Sequence, residues 1–124
     1  MGYYSEVAFV LEKEAHKDFL AAIEKLNDTL REEVLGLLRI FAKRRYSDGS
    51  ILYHHTLLKW YVVEFPDVAF VDEFLSSLPD DKYRYITIGE EFDDVGEQGC
   101  FHIKDGDMYM ERRVVIPKGG RKCS

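Results

Sequence analysis

The chain is poor in cysteine, and it lacks any long apolar run. Its two cysteines, Cys100 and Cys123, are too few for a disulfide framework and form no Cys-x-x-Cys pair. They suit a reducing compartment, where disulfides are rare. The apolar stretches fall well short of the roughly 18 residues that a membrane-spanning helix needs. The opening MGYYSEVAFVLEKEAHK has no basic lead before its apolar residues, unlike a secretory signal. Tyr3, Tyr4, Ser5 and Glu6 after Gly2 make a poor myristoylation context. The expected compartment is therefore the cytoplasm. Nucleotide and nucleophile signatures are missing too. There is no Walker A, GxGxxG or GxSxG motif, and Ser5, Ser47, Ser50, Ser76, Ser77 and Ser124 have no evident base beside them.

What is present suffices for a packed domain. Of 124 residues, 46% are hydrophobic and 14% aromatic, which excludes global disorder and fits one domain over 1–117, with 118–124 as a flexible basic tail. The net charge of -6 disfavours general nucleic-acid binding, which wants a basic face. The charge is unevenly spread. Ten acids between Asp67 and Glu97 stand against Lys82 and Arg84 alone, whereas Arg39, Lys43, Arg44 and Arg45 form a basic cluster and Lys118, Arg121 and Lys122 a basic tail. Such asymmetry points to a charged partner or to an oligomer.

Periodicity gives the elements. YSEVAFVL reads as a strand with Val7, Phe9 and Leu11 on one side. In EKEAHKDFLAAIEKLND, Ala15, Phe19, Ala22, Ile23 and Leu26 recur at helical spacing. Thr29 and Glu32 have capping-box spacing and predict a short second helix in LREEVLGLL, weakened by Gly36. RIFAKRRYSDGSILYHHTLLKWYVV reads as a hairpin with a two-residue Asp48-Gly49 turn. Pro66 and Asp67 open a helix with Val68, Val71, Leu75 and Leu78 as its stripe, widened by Phe74. KYRYITIG is a strand, and CFHI with MYMERRVVI suggests a second hairpin around Asp105-Gly106. The fold class is α+β, a mainly antiparallel sheet with two helices on one face, on the ferredoxin-like βαββαβ plan with an extra C-terminal strand.

The opening MGYYSEV, the middle SDGSILYHHTLLKWY followed by FPDVAFVDEFL, and the late IGEEFDDVGEQG resemble small uncharacterised proteins of bacteriophages and prophages. The resemblance carries no catalytic residue. It implies a small accessory protein in the cytoplasm of an infected host cell, of a kind that often works by binding and disabling a host protein.

The candidate residues follow. Glu90, Glu91, Asp93, Asp94 and Glu97 crowd around Gly89, Gly96 and Gly99. Their spacing departs from the EF-hand pattern of alternating oxygen ligands with Gly at six and Glu at twelve, and nothing beside them completes an acid–base mechanism. A solvated connection between strands is the plain reading, since charge runs usually face water. An acidic recognition surface for a basic protein patch, or a decoy for nucleic acid, is the functional one. His54 and His55, adjacent on a strand, point to opposite faces. A Cys/His metal site from Cys100, His102 and one of them would need at least three converging ligands. Among the strand aromatics Tyr53, Trp60, Tyr61, Tyr83, Tyr85 and Tyr109, core packing competes with an exposed protein-binding face. Lys43 and Arg45 face one way and Arg44 the other, which dilutes a phosphate patch.

The expectation is a non-enzymatic binding protein using Glu90, Glu91, Asp93, Asp94, Glu97, Tyr83 and Tyr85 against a host or phage protein with a basic patch. It needs no cofactor or metal. Two alternatives stay open: a small metal-dependent or hydrolytic enzyme built on the histidines and these acids, and a homo-oligomer pairing acidic with basic regions.

Overall fold

The computed structural model describes residues 4–89 and 95–101, together with the backbone of 109–110, 114–115 and 121–123. Strand β1 (Ser5–Leu11) leads into helices α1 (Lys13–Glu24) and α2 (Asp28–Arg39), then the hairpin of β2 (Ala42–Arg45) and β3 (Ile51–Leu58). Helix α3 (Pro66–Ser77), a 3-10 turn (Asp80–Lys82) and β4 (Tyr83–Ile88) follow. After them come β5 (Val95–Gly99), β6 (Tyr109–Met110), β7 (Val114–Val115) and β8 (Arg121–Cys123). The protein is α+β. Five antiparallel strands form an open sheet in the order β5-β4-β1-β3-β2, the short β8 extends it beyond β2, and β6 pairs with β7 apart from it.

Strand register builds the main core. Phe9 lies between Tyr53 and Tyr85, and Leu11 between Ile51 and Tyr83. Alternate strand residues share a face, and these join Ala15, Phe19 and Ile23 of α1, Val34, Leu37 and Leu38 of α2, and Val68, Val71 and Leu75 of α3 in one apolar cluster. The Phe9 ring stacks on Tyr53 at 4.8 Å and meets Phe19 and Phe41 edge-on at 6.2 and 5.5 Å, the arrangements aromatic quadrupoles favour.

Three helices, not the expected two, therefore cover this face. The second is a full 12-residue element. Its cap is Asn27, whose Oδ1 accepts from the Leu30 amide at 2.9 Å, rather than Thr29. Helix α3 opens as its sequence suggested, with Pro66 in the first turn, and buries Val68, Val71 and Leu75. Among the described residues no helix is long and apolar enough to cross a membrane.

The centre of the opposite sheet face is apolar as well. Ala8, Val10 and Ile86 are 0% exposed and Leu52 2%, with Tyr46, Ile88 and Phe101 packed around them. Because β1 is hydrogen-bonded along both flanks, the contact β7 makes with it crosses a face of the sheet. The unbroken run VAFVL marks a strand buried on both sides.

Turn chemistry brings further corrections. The β2–β3 hairpin is present, but Gly49 N donates to Tyr46 O at 3.0 Å and Tyr46 N to Ser50 O at 2.9 Å, closing a longer loop than two residues. Gly49 has φ 87°, and among the described residues no non-glycine has a positive φ, so Asp48 does not take the left-handed role. The second hairpin pairs β6 with β7 inside MYMERRVVI, while Asp105 and Gly106 lie outside the described residues. Within the tail read as flexible, Arg121–Cys123 pair with β2.

Candidate functional site

The acidic segment is part strand. Glu90, Glu91, Asp93 and Asp94 lie outside the described residues, but VGEQG is the return strand of a hairpin with β4. Ile88 opposes Val95, Ile86 opposes Glu97, and Arg84 opposes Gly99. Glu97 forms an ion pair with Arg84 across the hairpin. Tyr83 and Tyr85 are 3% and 4% exposed. They stand on the face that packs against the helices, because they flank Leu11 and Phe9 in register. Their rings are packed in the core rather than spread on an exposed sheet face, and of the two only Tyr85 borders a cavity.

The histidines divide as their spacing implied. Nε2 of His54 lies 2.6 Å from Glu6 Oε2, on the Ala8 side of the sheet. His55 lies 6.0 Å from the Phe41 ring on the helix side, where burial and the neighbouring His54 lower its pKa. Cys100 is an exposed free thiol, and His102 lies outside the described residues. Among the described residues no three His, Cys, Asp or Glu side chains stand close enough to share a metal ion. Lys43 Nζ donates to the carbonyls of Leu38 at 2.7 Å and Phe41 at 3.3 Å, which ties it to the end of α2.

What the periodicities did not reveal is a cleft of about 260 Å³ toward the end of the sheet where the chain passes from β4 to β5. Ser5, the 60–62 connection, Asp72 of α3, Tyr85, Thr87, Gly96 and Gln98 line it. A relay of hydrogen bonds forms its floor. Trp60 Nε1 donates to Tyr85 Oη at 2.6 Å, and Tyr85 Oη donates to Asp72 Oδ1 at 3.0 Å. Burial first, then the Asp72 charge, raise the Tyr85 pKa far above the phenol range, while the Trp60 bond pulls the other way; the hydroxyl stays a neutral donor. Gln98 Oε1 accepts from Tyr83 Oη at 3.3 Å and from Ser76 Oγ at 3.2 Å, fixing one wall. Gly96 keeps the cleft open beside Thr87, whose Oγ1 would stand 2.9 Å from a Cβ there. A sequence signal for Asp72 did exist: it sits four residues after Val68 and three before Leu75, so a carboxylate borders the buried stripe of α3.

The rim is apolar. Leu57 is 63% exposed, Val63 98% and Val95 45%. Ser5 pairs with Leu58, Glu6 with Ile88 and Ile88 with Val95, so the exposed ends of β3 and β5 share this end of the sheet with the cleft. In sequence, residues 90–94 join Gly89, itself a lining residue, to Val95.

Fold and site together define a small α+β protein with an open antiparallel sheet and a polar-floored cleft at one end. No protein-family model matches the chain, and no curated protein or solved structure is significantly similar to it.

Proposed function

We propose that this is a small, non-enzymatic accessory protein of phage type that works by occluding another protein, docking through the end of the sheet that holds the cleft. The observation that carries this reading is a carboxylate-bearing cleft at the same end of the sheet as the exposed Leu57 and Val95, with the acid-rich stretch 90–94 joining Gly89 to Val95 in sequence. Exposed apolar side chains beside oriented polar groups are the anatomy of a recognition surface. The acids select a basic patch on a host or phage protein, a host defence protein being the natural target in an infected cell's cytoplasm. The order β4-β1-β3-β2 within the sheet, with the helices gathered on one face, supports the finer reading of a ferredoxin-like plan carrying added strands.

The test is affinity purification from host lysate with mass spectrometry, comparing the natural chain with a variant in which Glu90, Glu91, Asp93 and Asp94 become lysine. A specific partner should be retained at low salt, lost progressively as salt rises, and lost outright in the folded variant. A folded variant that keeps the whole complex at low salt would remove the acidic surface from the account.

A second reading, self-association, is favoured by the register at the far edge. There β8 sets Lys122 opposite Arg44 and Arg121 opposite Arg45, while β5 at the other edge carries Glu97.

A further inference from the structure

Resting on that docking reading, we infer that the cleft is a socket for one arginine side chain of the partner, with Asp72 as the acceptor of its guanidinium. Size is the first argument. Ligand pockets for drug-sized molecules run from roughly 300 to 1,000 Å³, so about 260 Å³ suits a single side chain better than a cofactor.

Charge is the second argument. Among the described residues, the ion pairs occupy Lys17, Arg31, His54, Lys82 and Arg84 with other carboxylates, and none reaches Asp72. Oδ1 of Asp72 accepts the Tyr85 hydrogen bond, and Oδ2 receives none from any described residue. A half-buried carboxylate with no cation of its own leaves an incoming guanidinium a charged acceptor.

Shape is the third argument. Trp60, Tyr61 and Tyr85 provide aromatic surface, and Ser5, Thr87 and Gln98 provide further polar atoms around the same space. A planar guanidinium, with five donors in a fixed fork and a face that stacks on rings, uses such a lining more fully than an ammonium does. The plainer role for Asp72, an acceptor that merely holds the Tyr85 hydroxyl, needs no charge. Asp72→Asn separates the two, because the amide oxygen still accepts from Tyr85 while the charge is gone.

The experiment is a titration of nitrogen-15-labelled protein with acetyl-arginine methylamide and, in parallel, its neutral analogue acetyl-citrulline methylamide. The Trp60 indole and the Gly89 and Gly96 amides report on the cleft. The arginine compound should give saturable shifts at these three signals, with a dissociation constant on the order of 10 mM. The citrulline compound should give none, and Asp72→Asn should weaken binding about tenfold or more. Absence of saturable shifts, equal response to both compounds, or an Asp72→Asn protein that binds as before would each overturn the socket. The comparison of the two compounds uses the natural chain, so it decides the matter even if the variant fails to fold. A partner complex abolished by reversing the 90–94 acids yet untouched by Asp72→Asn overturns the socket and leaves the docking surface standing. Arginine-specific binding in the cleft, alongside a complex indifferent to those reversals, supports the socket and removes the acidic surface.

Discussion

His16 shows how one side chain ties the interior to pH. It is 8% exposed, and its Nε2 lies 2.8 Å from the Tyr53 hydroxyl. Burial, and then the positive charge of Arg45, hold its pKa down to about 4. A group with a depressed pKa binds fewer protons folded than unfolded. Falling pH therefore favours the unfolded chain, from the ordinary value near 6.5 down to about 4. The full difference is about 3 kcal/mol, a large share of the roughly 5–15 kcal/mol that holds a domain together. His16→Gln keeps a polar partner for Tyr53 and cannot charge. Urea unfolding between pH 7 and pH 4 should show the natural chain losing stability faster than the variant. Parallel pH profiles would show that His16 does not couple folding to protons. Nothing in the spacing of Ala15, Phe19 and Ile23 announced this histidine, because a helical stripe reveals which face turns inward and not which polar residue at its border is carried in with it.

Two glycines report on how the elements are held, and they should respond in opposite directions. A Cβ at Gly36 in α2 would meet nothing within 4 Å, so Gly36→Ala should stabilise the protein by about 0.5–1 kcal/mol through helix propensity and a less mobile unfolded chain. Gly99 ends β5 with φ 81°, and a Cβ there would come 2.1 Å from the Tyr83 carbonyl oxygen. Gly99→Ala should cost at least about 2 kcal/mol. Thermal or urea unfolding of both variants checks the pair, and equal effects would refute the local geometry described for each. Elements whose apolar period is strong were legible in the sequence: β1, α1, the β2–β3 hairpin, α3 and β4. β5 was not, because VGEQG has poor strand propensity and is held by pairing with β4 and by the bonds from Cys100 N to Asp80 O and Phe101 N to Tyr83 O. The extent of α2 was obscured by Gly36 and by the capping-box spacing of Thr29 and Glu32, which competes with the Asn27 cap that is used. The cleft was invisible for a related reason. Trp60, Asp72, Tyr85 and Gly96 come from four separate stretches, and only tertiary packing brings them together.

Charge is distributed across the sheet with a direction. One edge is β5, whose Glu97 is already ion-paired with Arg84 and which follows the acids 90–94 in sequence; the other is β8 beside β2, with Arg121 and Lys122 paired against Arg45 and Arg44. Like charges directly opposite one another weaken a strand pair. Charged edges of one sign normally discourage edge-to-edge association, but edges of opposite sign on one sheet attract head to tail. Such a contact joins two different surfaces, so it either closes into a ring or grows into an open chain. At 0.15 M salt the screening length is about 8 Å, short enough to suppress the attraction until edges nearly touch. Self-association should therefore appear at low ionic strength, grow with protein concentration and vanish in roughly 1 M salt, where screening acts within about 3 Å. Light scattering or sedimentation across that range measures it, and Arg44→Glu with Arg45→Glu should abolish it. A molecular mass fixed at 14.5 kDa under every condition would show that the two edges do not meet.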